Sequence, residues 1–177
     1  MNKQEYEQFV NLYKDFESKT EDIAIIGQAH HFVDIDKYNH GIVLDTERGM
    51  ICFNGEVYQH GDLEDISVEV PAYLLTCTTE EIKEYFVNTI KTDYDKQINS
   101  FKEKIEAEKK KKEKYEFEKN ILLERNLKDL CGFTIESFER GIKNCDTLID
   151  YYGSTIQSLQ QCCENKIKHI QHIHIEE

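Results

Sequence analysis

The sequence predicts an α+β protein: an N-terminal helix with a small antiparallel β-meander over residues 1–78, then a long antiparallel helical hairpin, a coiled coil, over 79–177. Three observations predict it. Aromatic and apolar residues open the chain at helical spacing; from Asp22 to Thr76 the period becomes two, with turn residues at short intervals; and from Thr79 onward apolar steps of three and four residues return and persist.

Asn2 stands as an N-cap with Glu5 in capping-box position, and Tyr6, Phe9, Val10, Tyr13 and Phe16 follow on one face, so the first helix is expected to end near Lys19. Its aromatic stripe is read as core, because a helix this short is marginal without tertiary packing. Strands are expected at Ile23 to Ile26, His31 to Ile35, Ile42 to Asp45, Met50 to Phe53, Glu56 to His60 and Ile66 to Val70. Asn54-Gly55 is the strongest turn signal, since a tight hairpin wants positive φ at both central residues. Thr46 to Gly49 and Asn39 to Gly41 read as neighbouring turns. The first helix is expected to pack across one face of this meander.

Apolar and polar residues alternate from Asp65 to Val70, which turns Glu69 outward beside Asp62, Glu64 and Asp65 and gives the last strand an acidic edge. Pro71 ends that strand, and Thr78-Thr79-Glu80-Glu81 is a capping box that starts a long helix. This helix meets no breaker until Gly132, and its seam is Val87, Ile90, Tyr94, Ile98, Phe101 and Ile105. The seam then fails: Glu108 and Lys112 occupy apolar places, before Tyr115, Leu122, Leu123, Leu127 and Leu130 resume it. A short linker around Cys131-Gly132-Phe133 folds the third helix back.

The third helix, Thr134 to Ile173, carries the strongest pattern in the chain. Ile135, Ile142, Ile149, Ile156 and Ile170 recur every seven residues with Cys163 in the missing place, and Phe138, Cys145, Tyr152 and Leu159 form a second row three residues on. Two such rows are the seam of a coiled coil. Its apolar regularity does not match the polar gap at Glu108 and Lys112. Either the second helix bends or unravels near its lysines, or part of the isoleucine seam pairs with another copy as a homodimer; Gly153 is expected to mark a kink.

The net charge of −13 is unevenly spread: −10 over 1–78, zero over 79–130 and −3 over 131–177. A free nucleic-acid duplex or an anionic membrane would be repelled by the first segment, whereas a basic protein surface would be attracted. No apolar run approaches the roughly 20 residues that span a bilayer, and the start MNKQEYEQF lacks the marks of a secretory signal, so a cytoplasmic location is expected. The six cysteines form no C-x-x-C pair and are read as reduced, packed thiols.

Candidate chemistry is sparse. His169, His172 and His174 crowd the C-terminus, but no carboxylate or cysteine stands at ligand spacing, so they read as a polar helix end whose cations suit the helix dipole. His30, His31, Asp34, Asp36, His40, Asp45 and His60 are metal-capable, yet strand alternation sends them to opposite faces. The run Lys109 to Lys112 is surrounded by glutamates and reads as a solvated helix face with local ion pairs. No P-loop, dinucleotide fingerprint, nucleophile elbow or H-E-x-x-H motif occurs, and neither a catalytic residue nor a cofactor is expected.

The passage Asp65 to Leu75, followed by Thr79-Glu80-Glu81-Ile82 and a Glu/Lys-rich helix reaching Leu122-Leu123-Glu124-Arg125-Asn126-Leu127, resembles small uncharacterised proteins of phages and prophages over about residues 50–130. The resemblance implies a phage or mobile-element origin, where small acidic proteins inhibit host defence nucleases such as CRISPR effectors. The function expected is therefore a non-enzymatic interaction protein in the host cytoplasm, touching a basic host protein through Asp62, Glu64, Asp65 and Glu69. An oligomeric coiled-coil assembly protein is the alternative, and a metal-dependent hydrolase the third reading.

Overall fold

Phe16, Thr20, Ile23, Ala24 and Gly27 fall at steps of three and four residues, and the chain is helical through all of them. The computed structural model describes residues 14–27, 41–59, 62–125 and 127–174, with the side chains of 55–59 and 62–66 outside the description. Helix α1 covers 14–27 of these and buries Thr20, Ile23, Ala24, Ile26 and Gly27. The strand expected at Ile23 to Ile26 is thus part of a helix that does not end at Lys19. Four consecutive apolar residues have no period of their own, and the helical spacing inherited from Phe16 decides the matter. The Thr20 hydroxyl, 1% exposed, donates to the carbonyls of Phe16 (2.9 Å) and Glu17 (2.8 Å), so its burial leaves no polar group unmet. The expected start of this helix at Asn2, the strand His31 to Ile35 and the turn residues Asn39 and His40 lie outside the described residues.

Strands β1 (Gly41–Asp45), β2 (Met50–Gln59) and β3 (Asp62–Pro71) form an antiparallel meander in the order β1-β2-β3. The turn between β1 and β2 is the one expected at Thr46 to Gly49: Gly49 has φ +65°, and Asp45 Oδ1 accepts from the N–H groups of Glu47 (3.1 Å) and Arg48 (3.0 Å). Asn54-Gly55, expected as a hairpin turn, instead lies inside β2 opposite Ser67 and Ile66. A turn there would pair two short stubs, whereas the extended strand pairs residue for residue with β3 from Met50↔Pro71 to Gln59↔Asp62. The ladder outweighs the local preference. Phe53↔Val68 and Ile51↔Val70 place the core face, on which Ile51, Phe53 and Val70 are buried.

Pro71 caps a 3-10 turn, Ala72–Thr76, that buries Leu74 and ties back through Ala72 N–H to the Gly49 carbonyl at 2.8 Å. Helix α2 (Thr79–Glu124) then starts on the expected capping box: Thr78 N–H and hydroxyl donate to Glu81 Oε2 at 2.7 and 2.9 Å, and Glu81 N–H donates to Thr78 Oγ1 at 3.3 Å. The helix ends earlier than Leu130. Leu127 N–H reaches the Leu122 carbonyl at 3.1 Å, closing α2, and the Leu127 carbonyl accepts from Leu130 (3.1 Å) and Cys131 (2.8 Å), opening α3 (Lys128–Gln171). The reversal therefore precedes the expected linker, and Gly132 lies inside α3. Gly153 is helical as well, and the single non-helical backbone in α3 is at Cys131 (φ −122°, ψ 20°).

The chain divides into two units, one of Met1–Ile90 with Asn165–Glu177 and the other of Lys91–Glu164. In the first, the core is built by Ile23 and Ile26 of α1, Ile51, Phe53 and Val70 of the sheet, Leu74, then Ile82, Phe86 and Ile90 of α2, and Ile170 of α3. A small cavity lined by Ile23, Ala24, Gly27, Phe53, Val68, Val70 and Phe86 marks where α1, the sheet and α2 converge. A Cβ at Gly27 would lie 2.8 Å from Phe86 Cζ, so the absence of a side chain there is what lets the ring in. Ile170, last of the heptad isoleucines, belongs to this core.

In the second unit α2 and α3 pack as an antiparallel hairpin. Phe101 meets Tyr152 (ring centroids 5.8 Å), Tyr115 meets Phe138 (5.9 Å), and Lys119 Nζ reaches Glu139 at 3.7 Å. The expected seam of α3 faces α2: Ile135 and Cys145 are buried, while Phe138, Ile142, Ile149, Tyr152, Ile156 and Leu159 are half-buried. Unravelling does not relieve the polar gap. Helix α2 runs unbroken through it, and α3 answers it with polar partners.

Candidate interaction surfaces

The β2–β3 hairpin concentrates the acidic character of the chain. Between Arg48 and Lys83 there is no Lys or Arg, and Glu56, Asp62, Glu64, Asp65 and Glu69 all fall in these two strands. The backbone register sets Asp65 directly opposite Glu56, Glu64 opposite Val57 and Asp62 opposite Gln59. Like charges at opposed positions destabilise a strand pair. The far half of this hairpin thus gathers four carboxylate residues without a Lys or Arg of its own.

Glu69 stands apart from them. Its two carboxylate oxygens take Arg48 Nη1 and Nη2 at 2.7 and 2.6 Å, a bidentate pair across the strands. Arg48 is brought there by the Thr46–Gly49 turn, and Glu69 lies on the face opposite the core, beside Cys52. This acid is internally matched, which separates it from Asp62, Glu64 and Asp65, whose positions on β3 the register gives and whose side chains lie outside the description. The pairing was not legible in the sequence because its partners are 21 positions apart and meet only through the meander.

The Arg48 hydrogen bond holds the Glu69 carboxyl below the usual carboxylate range, and the bonds from the Thr78 backbone and hydroxyl do the same for Glu81. Both groups bind a proton less readily folded than unfolded. Their contribution to stability is therefore present above the unfolded value, about 4.3, and is lost as pH falls through the lower folded value. Thermal melts between about pH 3 and 7 should show a midpoint that falls on the acid side, with a shallower fall in Glu69→Gln. Identical acid slopes for the two proteins would show that the Arg48 pair contributes nothing.

A second polar constellation lies inside the hairpin. Glu108 Oε2 is buried with no hydrogen-bond partner and sits 3.7 Å from Lys111 Nζ, and the buried Cys145 thiol is pushed up by its burial and by the neighbouring Glu108 carboxylate. Lys112 Nζ donates to Asp146 Oδ1 at 2.7 Å, and that bond raises the lysine further. Within the run expected to make only local pairs, Lys109–Glu106 (2.7 Å) and Lys111–Glu108 are local, but Lys112 crosses to α3.

His172 Nδ1 donates to the Lys168 carbonyl at 2.6 Å, an end-of-helix use, and His169 and His174 are exposed. Among the described residues no three His, Cys, Asp or Glu side chains converge as a metal group. Of the earlier cluster only Asp45 is described, and it serves the Thr46–Gly49 turn. Exposed apolar residues include Ile42, Val43 and Leu44 on β1, and Phe117, Leu123, Leu130 and Phe133 toward the hairpin's closed end. Among the described residues no helix is long and apolar enough to cross a membrane. Comparison with protein-family models, curated proteins and solved structures gives no match to this chain.

Proposed function

We propose that this protein is a non-enzymatic interaction module whose acidic β2–β3 hairpin occupies a basic, nucleic-acid-binding groove on a partner protein. The observation that carries the reading is the strand register: Glu56 stands opposite Asp65, and Asp62 and Glu64 hold the alternate positions of β3, on the other face of the same strand end, in a hairpin with no Lys or Arg. Repulsion between such positions destabilises the free hairpin and is relieved when a cationic surface docks on it. Glu69 serves the fold through Arg48, and Glu56 joins the contact group in its place. The likeness to small phage and prophage proteins makes a host defence nuclease, such as a CRISPR effector, the first class of target to try.

The test compares wild type with a variant carrying Glu56→Gln, Asp62→Asn, Glu64→Gln and Asp65→Asn as bait in lysate of a host cell, at low and high salt. The wild type should retain a nucleic-acid-binding protein that is released as salt is raised, and its nucleic acid should be displaced by the bait. The neutral variant should lose that protein. Equal retention of the same proteins by both baits would end the proposal.

A further inference from the structure

The isoleucine rows of α3 repeat every seven residues, and such a seam does not by itself distinguish α2 from a second copy of α3. We propose that the charged residues in the α2 seam and beside the α3 seam are a partner code that commits α3 to α2. On α2, Lys112 and Lys119 stand one heptad apart; on α3, Glu139 and Asp146 stand one heptad apart; and in the antiparallel hairpin Lys112 takes Asp146 at 2.7 Å while Lys119 takes Glu139 at 3.7 Å. Two α3 helices aligned in parallel would set Glu139 against Thr134 and Asp146 against Gly141 of the other copy, so neither acid would find a lysine. The seam tolerates that arrangement, but both ion pairs to α2 are lost in it.

The same residues select the register. Sliding α3 one heptad in one direction leaves the isoleucine rows matched but brings Gly153 to Lys112, Leu148 to the place of Gly141 against Tyr115, and Tyr152 to Glu108. Sliding it the other way brings Gly132 to Lys119, Thr134 against Tyr115 and Phe138 to Glu108. Either slip strands one lysine, drives a side chain into space that the Tyr115 ring fills in contact with Gly141, and sets the half-buried Glu108 carboxylate against an aromatic ring. Glu108 fits the same logic: its place beside the small Cys145 thiol disfavours pairings that put a larger apolar residue there.

The experiment is done on the full chain, with mass from light scattering over a hundredfold concentration range and helix content from circular dichroism. Replacing both lysines (Lys112→Glu, Lys119→Glu) should leave the protein helical and raise its average mass about twofold over wild type at the highest concentration, as α3 finds a second α3. Adding Glu139→Lys and Asp146→Lys restores opposite charges across the hairpin with the positions exchanged, and should return the mass to the wild-type value. A double variant with wild-type mass, or one that loses its helix without gaining mass, overturns the proposal. Failure of the fourfold variant to regain the wild-type mass overturns it as well.

Discussion

Phe86→Ala is expected to lower the unfolding free energy by about 3–5 kcal/mol, read as a fall in the denaturant midpoint at unchanged slope. The ring is 1% exposed and packs edge-on to Tyr85 at 5.2 Å. It also closes on Gly27 and lines the small cavity shared with Ile23, Ala24, Phe53, Val68 and Val70. Removing it would merge the vacated space with a void that already exists. The walls of that void come from a helix, a sheet and a second helix, each held by its own hydrogen bonds, so collapse onto the gap is costly and the upper half of the range is expected. A loss below about 1 kcal/mol would mean that α1, the sheet and the start of α2 do not share one core.

What could be read in advance follows from how far each signal reaches along the chain. The capping box at Thr78 and Glu81, the Thr46–Gly49 turn and the isoleucine rows of α3 are local or strictly periodic, and the fold uses all three where they were expected. Signals that compete with something distant fail. Asn54-Gly55 carries a strong turn preference, but a preference at two positions is weaker than a ladder running the length of β2. The apolar run Ile23 to Ile26 has no period, so only the burial of Thr20 and Gly27 on either side tells that it is helical.

The candidate surfaces show the same limit. Their acidic residues were visible as composition, yet composition could not show that Arg48 would be delivered onto Glu69, since that depends on which turn closes β1 on β2. Nor could spacing assign partners to Glu108 and Lys112. A heptad pattern gives registers only to within seven residues, and the identity of the facing residue, Cys145 or Asp146, is settled by where the hydrogen bonds of Leu127 close α2 and open α3. The apparent defect in the α2 seam is where the hairpin carries its specificity.

Gly141→Ala gives the sharpest test of that hairpin, because two effects of known sign oppose each other at one atom. In a helix interior Ala is favoured over Gly by about 1 kcal/mol. At Gly141, however, a Cβ would fall 2.6 Å from Tyr115 Cε2 and 2.8 Å from its Cδ2, on a ring already stacked near Phe138. Such distances force the ring or the helix to move, and overpacking of this kind costs about 1–3 kcal/mol. The net expectation is a loss of stability from a substitution that helix propensity alone would make stabilising. Gly153 in the same helix is the control: nothing lies within 4 Å of its would-be Cβ, so Gly153→Ala should gain up to about 1 kcal/mol. Tyr115→Ala should remove the penalty, so that in that background Gly141→Ala also becomes favourable. Urea melts of the four proteins and the double variant give both signs; a stabilising Gly141→Ala with Tyr115 intact would show that the helices approach less closely than this contact requires.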